Sequence, residues 1–226
     1  MKRIRSPIFI INFKTYAEGT GKNALKLAKM AEKVSKITGV NICVSPQFTD
    51  LAVIASEVDI PIFAQHIDPI SFGAYTGHIL PEAVKESGAI GTLINHSEKQ
   101  LLLKDVETAV DRARSVGLVS VICSDTPKTA ASVAYLKPNV VSVEPPDLIG
   151  TGVPVSKARP KEVLETISLV RKVDVATIIL CGAGITTGED AKAALKLGTN
   201  GVLVSSGILK AKNQEATTLE IAEALM

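Results

Sequence analysis

Eight short, apolar, β-rich runs alternate with segments of helical hydrophobic spacing, and nothing else in the chain limits its possible folds as tightly. The runs are IFIIN, VNICVS, PIFAQH, GTLIN, LVSVIC, NVVSVE, TIILCG and GVLVS. They show little polar alternation, as expected of strands buried on both faces of a parallel sheet. Between them lie segments such as NALKLAKMAEKVSKI, EKQLLLKDVETAVDRARSVG, PKEVLETISLVRKV and GEDAKAALKLG. Several of these begin at Ser, Thr or Pro and end at Gly, the usual punctuation of helices. Dividing 226 residues by eight leaves about 28 per unit, close to the ~30 of a minimal βαβ element. The expectation is an α/β protein with a (β/α)8 barrel, formed by residues 1–226 as one domain. A doubly wound open sheet is the alternative, but it would carry a Gly-rich fingerprint after the first strand, where this chain has IINFKTY.

Composition excludes several functions. With 25 basic and 23 acidic residues the formal charge is only +2, which gives no electrostatic case for nucleic acid. The cluster Lys2, Arg3 and Arg5 reads as the solvated flank of the first strand. The three cysteines, Cys43, Cys123 and Cys181, sit in apolar runs without CxxC spacing, so they read as reduced core thiols in a cytoplasmic protein and not as metal ligands or disulfides. The histidine spacing suggests no metal site either. The N-terminal apolar run breaks at Asn12, too short for a signal segment or a membrane span.

In a barrel of this kind the chemistry gathers at the C-terminal ends of the strands. Here those ends hold Asn12 and Lys14, Ser45, Gln65 and His66, Asn95 and His96, Ser124 and Asp125, Glu144, the stretch 181–184 and the stretch 205–207. Asn12 and Lys14 share a strand parity and point to one side. Lys14 reads as an electrostatic group at the barrel mouth, as a snorkelling surface lysine, or as a Schiff-base nucleophile. Ser97 followed by Gln100 has the form of a capping box, which makes Ser97 the expected N-cap of the fourth helix and sets His96 against its positive end, keeping the ring neutral. Glu98 would lie in that helix's first turn. His66 and His78 read as packing or polar contacts. Gly182 and Gly184 after strand seven, with Ser205, Ser206 and Gly207 after strand eight, would let backbone amides approach a phosphate. Glu144 closes an apolar strand directly and can face Lys14 and His96; it reads as a base or as a structural carboxylate paired with Lys14. The PPDLIGTG that follows is stiff at its prolines and free at its glycines, the make-up of a tethered lid.

These residues resemble the triosephosphate isomerase family along the whole chain: NFK at 12–14, AQH at 64–66, FGAYTG at 72–77, HSE at 96–98, EPPDLIGTG at 144–152, GAG at 182–184 and GVLVSSGIL at 201–209. The short length, Asn95 before His96 and the second lid proline are similar to the compact archaeal branch. The resemblance implies a TIM barrel that interconverts glyceraldehyde 3-phosphate and dihydroxyacetone phosphate through an enediolate, without cofactor or metal, in glycolysis and gluconeogenesis. It also implies roles. Lys14 is the electrostatic clamp beside Asn12, His96 the neutral electrophile and Glu144 the proton-transferring base; Gly150, Gly184, Ser205 and Ser206 form the backbone phosphate cradle, with Ile149 on the lid beside it. Three departures stand out. Lys99 occupies the place of an arginine that pairs with Glu98, Phe13 that of a tryptophan, and Cys181 that of a tyrosine that latches the closed lid, which leaves the latch unassigned. Leu101, Leu102 and Leu103 turn through about 200° of helix surface and cannot all face the barrel. With the long third loop, HIDPISFGAYTGHI, and the branch's habit, they point to a homotetramer of loop-three dimers joined through the fourth and fifth helices.

Overall fold

In the computed structural model, which describes residues 4–226, all eight apolar runs form parallel strands. They are β1 (Ile8–Asn12), β2 (Asn41–Ser45), β3 (Phe63–Ala64), β4 (Gly91–Ile94), β5 (Val119–Ser124), β6 (Val140–Val143), β7 (Ile178–Cys181) and β8 (Gly201–Val204). Their hydrogen-bonded order is β2-β1-β8-β7-β6-β5-β4-β3, and a lone bridge between Val44 and Ile62 joins the two ends. The barrel is therefore nearly closed, and its seams differ. β1 pairs with β2 over five positions, from Ile8 opposite Asn41 to Asn12 opposite Ser45. β7 meets β8 with Cys181 opposite Val202, beside an Asn200 N–H bond to Ile179 O. Of the basic cluster expected to flank β1, Lys2 and Arg3 lie outside the described residues, and Arg5 donates its backbone N–H to Asn41 Oδ1.

Two apolar layers account for the missing polar alternation. One fills the barrel with Ile8, Ile10, Cys43, Phe63, Leu93, Val121, Cys123, Val140, Leu180 and Leu203. The other, made of alternate strand residues such as Phe9, Ile11, Ile42, Val44, Val141 and Ile179, packs on the inner faces of the helices. All three cysteines are unpaired and buried in these layers.

The helices are α1 (Lys22–Thr38), α2 (Phe48–Glu57), α3 (Pro81–Glu86), α4 (Leu103–Ser115), α5 (Pro127–Ala134), α6 (Val155–Ala158), α7 (Pro160–Val173), α8 (Gly188–Lys196), α9 (Ser206–Leu209) and α10 (Gln214–Ala224). Their boundaries follow local chemistry. Gly39 ends α1 in the left-handed conformation, donating its N–H to Ser35 O. Thr126 with Thr129, and Thr187 with Asp190, form reciprocal capping boxes at α5 and α8.

The expected cap at Ser97 is not formed. α4 starts at Leu103, and its N-cap residue, Leu102, makes no side-chain bond. The intervening amides are satisfied in other ways. Asn95, with φ of 62°, accepts the Leu101 N–H on Oδ1 at 2.9 Å and donates Nδ2 to Cys123 O at 3.2 Å, while Lys99 N–H bonds to His96 O. Residues 95–101 are thereby held as a loop. Leu101 is half-buried against the core, and Leu102 and Leu103 are exposed.

Candidate active site

The ends of β1, β4 and β6 bring Asn12, Lys14, His96 and Glu144 together. Asn12, His96 and Glu144 are buried. Lys14 departs from the strand with φ of 49°, a conformation uncommon outside glycine, and two side chains fix it there. Asn12 Oδ1 accepts the Lys14 N–H at 3.0 Å, and Gln65 Nε2 donates to Lys14 O at 2.9 Å and to Ser45 O at 3.1 Å. Strain held this firmly at a strand end is usually functional. The ammonium meets Glu98 Oε1 at 2.7 Å, so its carboxylate partner in this structure is Glu98 and not Glu144. The Lys14 side chain is 10% exposed and that of Glu98 57%, so the lysine is neither snorkelling nor free of a counter-charge.

Glu144 hangs from the clamped end of β6. Its N–H bonds to Ser124 O at 2.8 Å, and the next strand follows through Gly182 N–H to Val143 O at 2.9 Å. The carboxylate lies against the bare face of Gly182, where a Cβ would overlap Glu144 Cγ and stand 2.7 Å from Cδ. Glu144 Oε2 is 3.4 Å from His96 Nε2, while Oε1 has no partner. Burial pushes the carboxyl's pKa up, yet His96 together with Cys123 and Ser142 outweighs it, and the net direction is down. The carboxyl is therefore held in its ionised form.

The surroundings of the His96 ring differ from those its sequence context suggested. No helix begins at Ser97; instead the Glu98 N–H donates to His96 Nδ1 at 3.1 Å. Nδ1 is then the acceptor, and Nε2 carries the ring proton toward Glu144. Burial pulls the imidazole's pKa down, and the Glu144 carboxylate turns the net direction upward. Protonating Nδ1 would set two hydrogens against each other at the Glu98 amide, so we take the ring protonated on Nε2 alone as the working form.

The two glycine-and-serine turns and the lid complete the ring. Asn12, Lys14, His96, Glu144, Ile149, Gly150, Gly184, Ser205 and Ser206 all line one cavity of about 30 Å³. The nine residues to which the resemblance gave roles thus meet at one place, while Gly182 and Gly207 of the two turns do not line it. The lid segment, residues 145–152, borders this narrow part of the site through Ile149 and Gly150. Its turn at Pro146–Leu148 is followed by Gly150 and Gly152 with φ of 76° and 74°. Thr151 ties the segment to itself, accepting from Val153 N–H and donating to Leu148 O. Asp147 pairs with Arg159 ahead of α7. That ion pair is a side-chain tie on the lid; Cys181 is packed in the layer between barrel and helices. Gly184, φ 72°, sits so close to the Val153 carbonyl that a Cβ would overlap it.

Sequence reasoning named Gln65 and Glu98 without finding their tasks, which are to support the Lys14 backbone and to face its ammonium. Inward strand parity, shared by Phe63 and Gln65, was the available signal for the first. His66 Nε2 contacts Asp68 Oδ1 at 3.1 Å, and the His78 ring meets Tyr75 edge-on, so both histidines make the polar or packing contacts expected of them.

The chain matches the sequence model of the family described as "Triosephosphate isomerase" over residues 7–225. It is 50% identical over 214 residues to the triosephosphate isomerase of Methanocaldococcus jannaschii, spanning 95% of this chain and 98% of that protein. The proteins of the same name from Methanobacterium bryantii, 51% identical over 216 residues, and Methanothermus fervidus, 49% over 215, are similar over 96% and 95% of this chain and 96% and 97% of their own lengths.

Proposed function

The chain belongs to the triosephosphate isomerase family, and from that premise we propose how its residues interconvert D-glyceraldehyde 3-phosphate and dihydroxyacetone phosphate through an enediolate. Glu144 removes the proton from the carbon beside the carbonyl and returns it to the neighbouring carbon, while His96 Nε2 gives a proton to the former carbonyl oxygen and takes one from the neighbouring hydroxyl. Charge grows on oxygen as this happens. The Nε2–H of His96, the Lys14 ammonium and Asn12 stabilise that charge inside a site from which the lid excludes water. Backbone amides at Gly150, Gly184, Ser205 and Ser206, with Ile149 covering them, take the phosphate, which does not react but whose binding energy draws the lid closed.

The observation that carries this assignment is the single Glu144–His96 approach at 3.4 Å, with the ring oriented by the Glu98 amide. A coupled isomerase assay on purified protein tests it together with Glu144→Asp. An aldolase that forms an imine at Lys14 would instead give a stable adduct with substrate and borohydride, and the Glu98 carboxylate 2.7 Å from Lys14 Nζ weighs against that chemistry by occupying the amine that would have to attack.

Self-association belongs to the same proposal. The third loop carries exposed Phe72 and Tyr75. A cavity of about 330 Å³ bordered by Lys14, Phe48, Gln65, His66 and Glu98 lies beside the site, of a size to take such a tip from a second copy. Exposed Leu102 and Leu103 at the start of α4 supply a second apolar face, which suits a homotetramer. No helix among the described residues is long and apolar enough to cross a membrane. A cytoplasmic place in glycolysis and gluconeogenesis follows from the reaction, with triose phosphates the small-molecule partners and no nucleic acid or cofactor called for.

A further inference from the structure

Two neighbouring buried polar atoms lack hydrogen-bond partners, and they are complementary. Ser142 is fully buried on β6, two residues before Glu144, so the two side chains project to the same face of the strand. Neither the Ser142 hydroxyl nor Glu144 Oε1 has a hydrogen bond of good geometry, although the hydroxyl lies near enough to the carboxyl to lower its pKa. Both border the bare face of Gly182, where a Cβ would stand 3.1 Å from Ser142 Oγ and 2.7 Å from Glu144 Cδ. A buried hydroxyl and a buried carboxylate oxygen left unpaired are each costly, and each is what the other needs.

We propose that Ser142 is a positioning residue for the Glu144 base: its hydroxyl donates to Oε1 through a small rotation of the carboxylate, and so holds the base ionised before substrate is deprotonated. The inference rests on Glu144 being the base, as proposed above. The other groups that face this carboxylate are His96 from the β4 end, Cys123 from β5 and Cys181 from β7, with Lys14 acting on the same cluster. Burial, and then the Glu144 charge, push the Cys181 thiol up to about 12 and Cys123 well above its ordinary value, so neither thiol ionises in the working range. His96 and the un-ionised Cys123 thiol, a weaker donor, act beside Ser142 in setting the proton affinity of Glu144.

A donor to a carboxylate favours its charged form and lowers its pKa; removing the donor raises it. Because the ionised form is the active one, the acid limb of the kcat/KM profile must then move to higher pH. For Ser142→Ala we expect a shift of about one pH unit. The plateau should stay within about threefold of the native enzyme, since the chemistry is untouched once the base is ionised. Ser142→Cys leaves no cavity and replaces the hydroxyl with a weak donor; it should shift the limb in the same direction and serves if the alanine variant folds poorly. A purely structural Ser142 would lower the melting temperature and leave the limb in place, and that result overturns the proposal. Glu144→Asp in the same titration separates the two claims. Native-like activity in that variant removes Glu144 as the base, whereas a crippled Glu144→Asp beside an unshifted Ser142→Ala removes only the role of Ser142.

Discussion

Glu144 is held by geometry on every side, which makes its reach the most sensitive quantity in the site. Its backbone is clamped to Ser124 O, its carboxylate packs on Gly182, and His96 faces Oε2. Glu144→Asp keeps the charge and withdraws it by about 1 Å, and misplacement on that scale lowers kcat by about 10²-fold. KM should change far less, because the phosphate cradle is untouched; steady-state kinetics on a folded variant check both. Gly184→Ala acts through a different contact. Its φ of 72° disfavours a side chain, and the added Cβ would overlap the Val153 carbonyl and lie 2.8 Å from Pro154 N, at the end of the lid. The lid's far hinge must move, so KM for the phosphorylated substrate should rise about tenfold, with a stability loss of ~1–3 kcal/mol in urea titration.

Among the elements, the strands were fully legible and the loops between them less so. Residues buried on both faces leave an apolar run that resists misreading, and all eight runs became strands, although PIFAQH kept only Phe63–Ala64 in regular pairing. The convergence of Asn12, Lys14, His96 and Glu144 was legible because strand ends and inward parity restrict them to one mouth. The start of α4 was not. Ser97 and Gln100 had the right spacing for a cap, but Asn95 in the left-handed region and the His96 ring had already taken the Leu101 and Glu98 amides, contacts that no local pattern displays. The tie from Asp147 to Arg159 was equally hidden, since it joins residues twelve apart that only the folded loop brings together. The lid carries its own prediction. An enediolate with a phosphate on the adjacent carbon can expel that phosphate to give methylglyoxal, and a closed cover prevents this by keeping the breaking C–O bond out of line with the π system. Deleting 149–151 removes the cover and the Gly150 amide while leaving Glu144, His96 and Lys14. Exchange of a substrate carbon proton with solvent should persist, isomerisation should fall steeply, and the methylglyoxal share seen by proton NMR should rise. A slower enzyme with the same product ratio would mean that the segment is only a connection.

For the whole molecule, assembly is the first thing to measure. A tetramer mass by light scattering at micromolar concentration is expected; a monomer contradicts both apolar faces, and a stable dimer only the one at α4. The wall of the barrel holds a second consequence. Its two narrow seams, the Val44–Ile62 bridge and the Cys181–Val202 pairing, divide it into an arc of β8, β1 and β2 and an arc of β3 to β7. Asn12, Lys14, Ser205 and Ser206 stand on the first arc, and His96, Glu144 and Gly184 on the second. At the proposed phosphate site a dianion held between Gly184 and Ser205 would span one of those joins, so that the substrate would act as a rivet in the enzyme's own wall. Hydrogen exchange at Val202 and Leu203 should therefore slow more on phosphate binding than exchange within the well-paired β4–β5 ladder, and the barrel should be tightest while the reaction is under way.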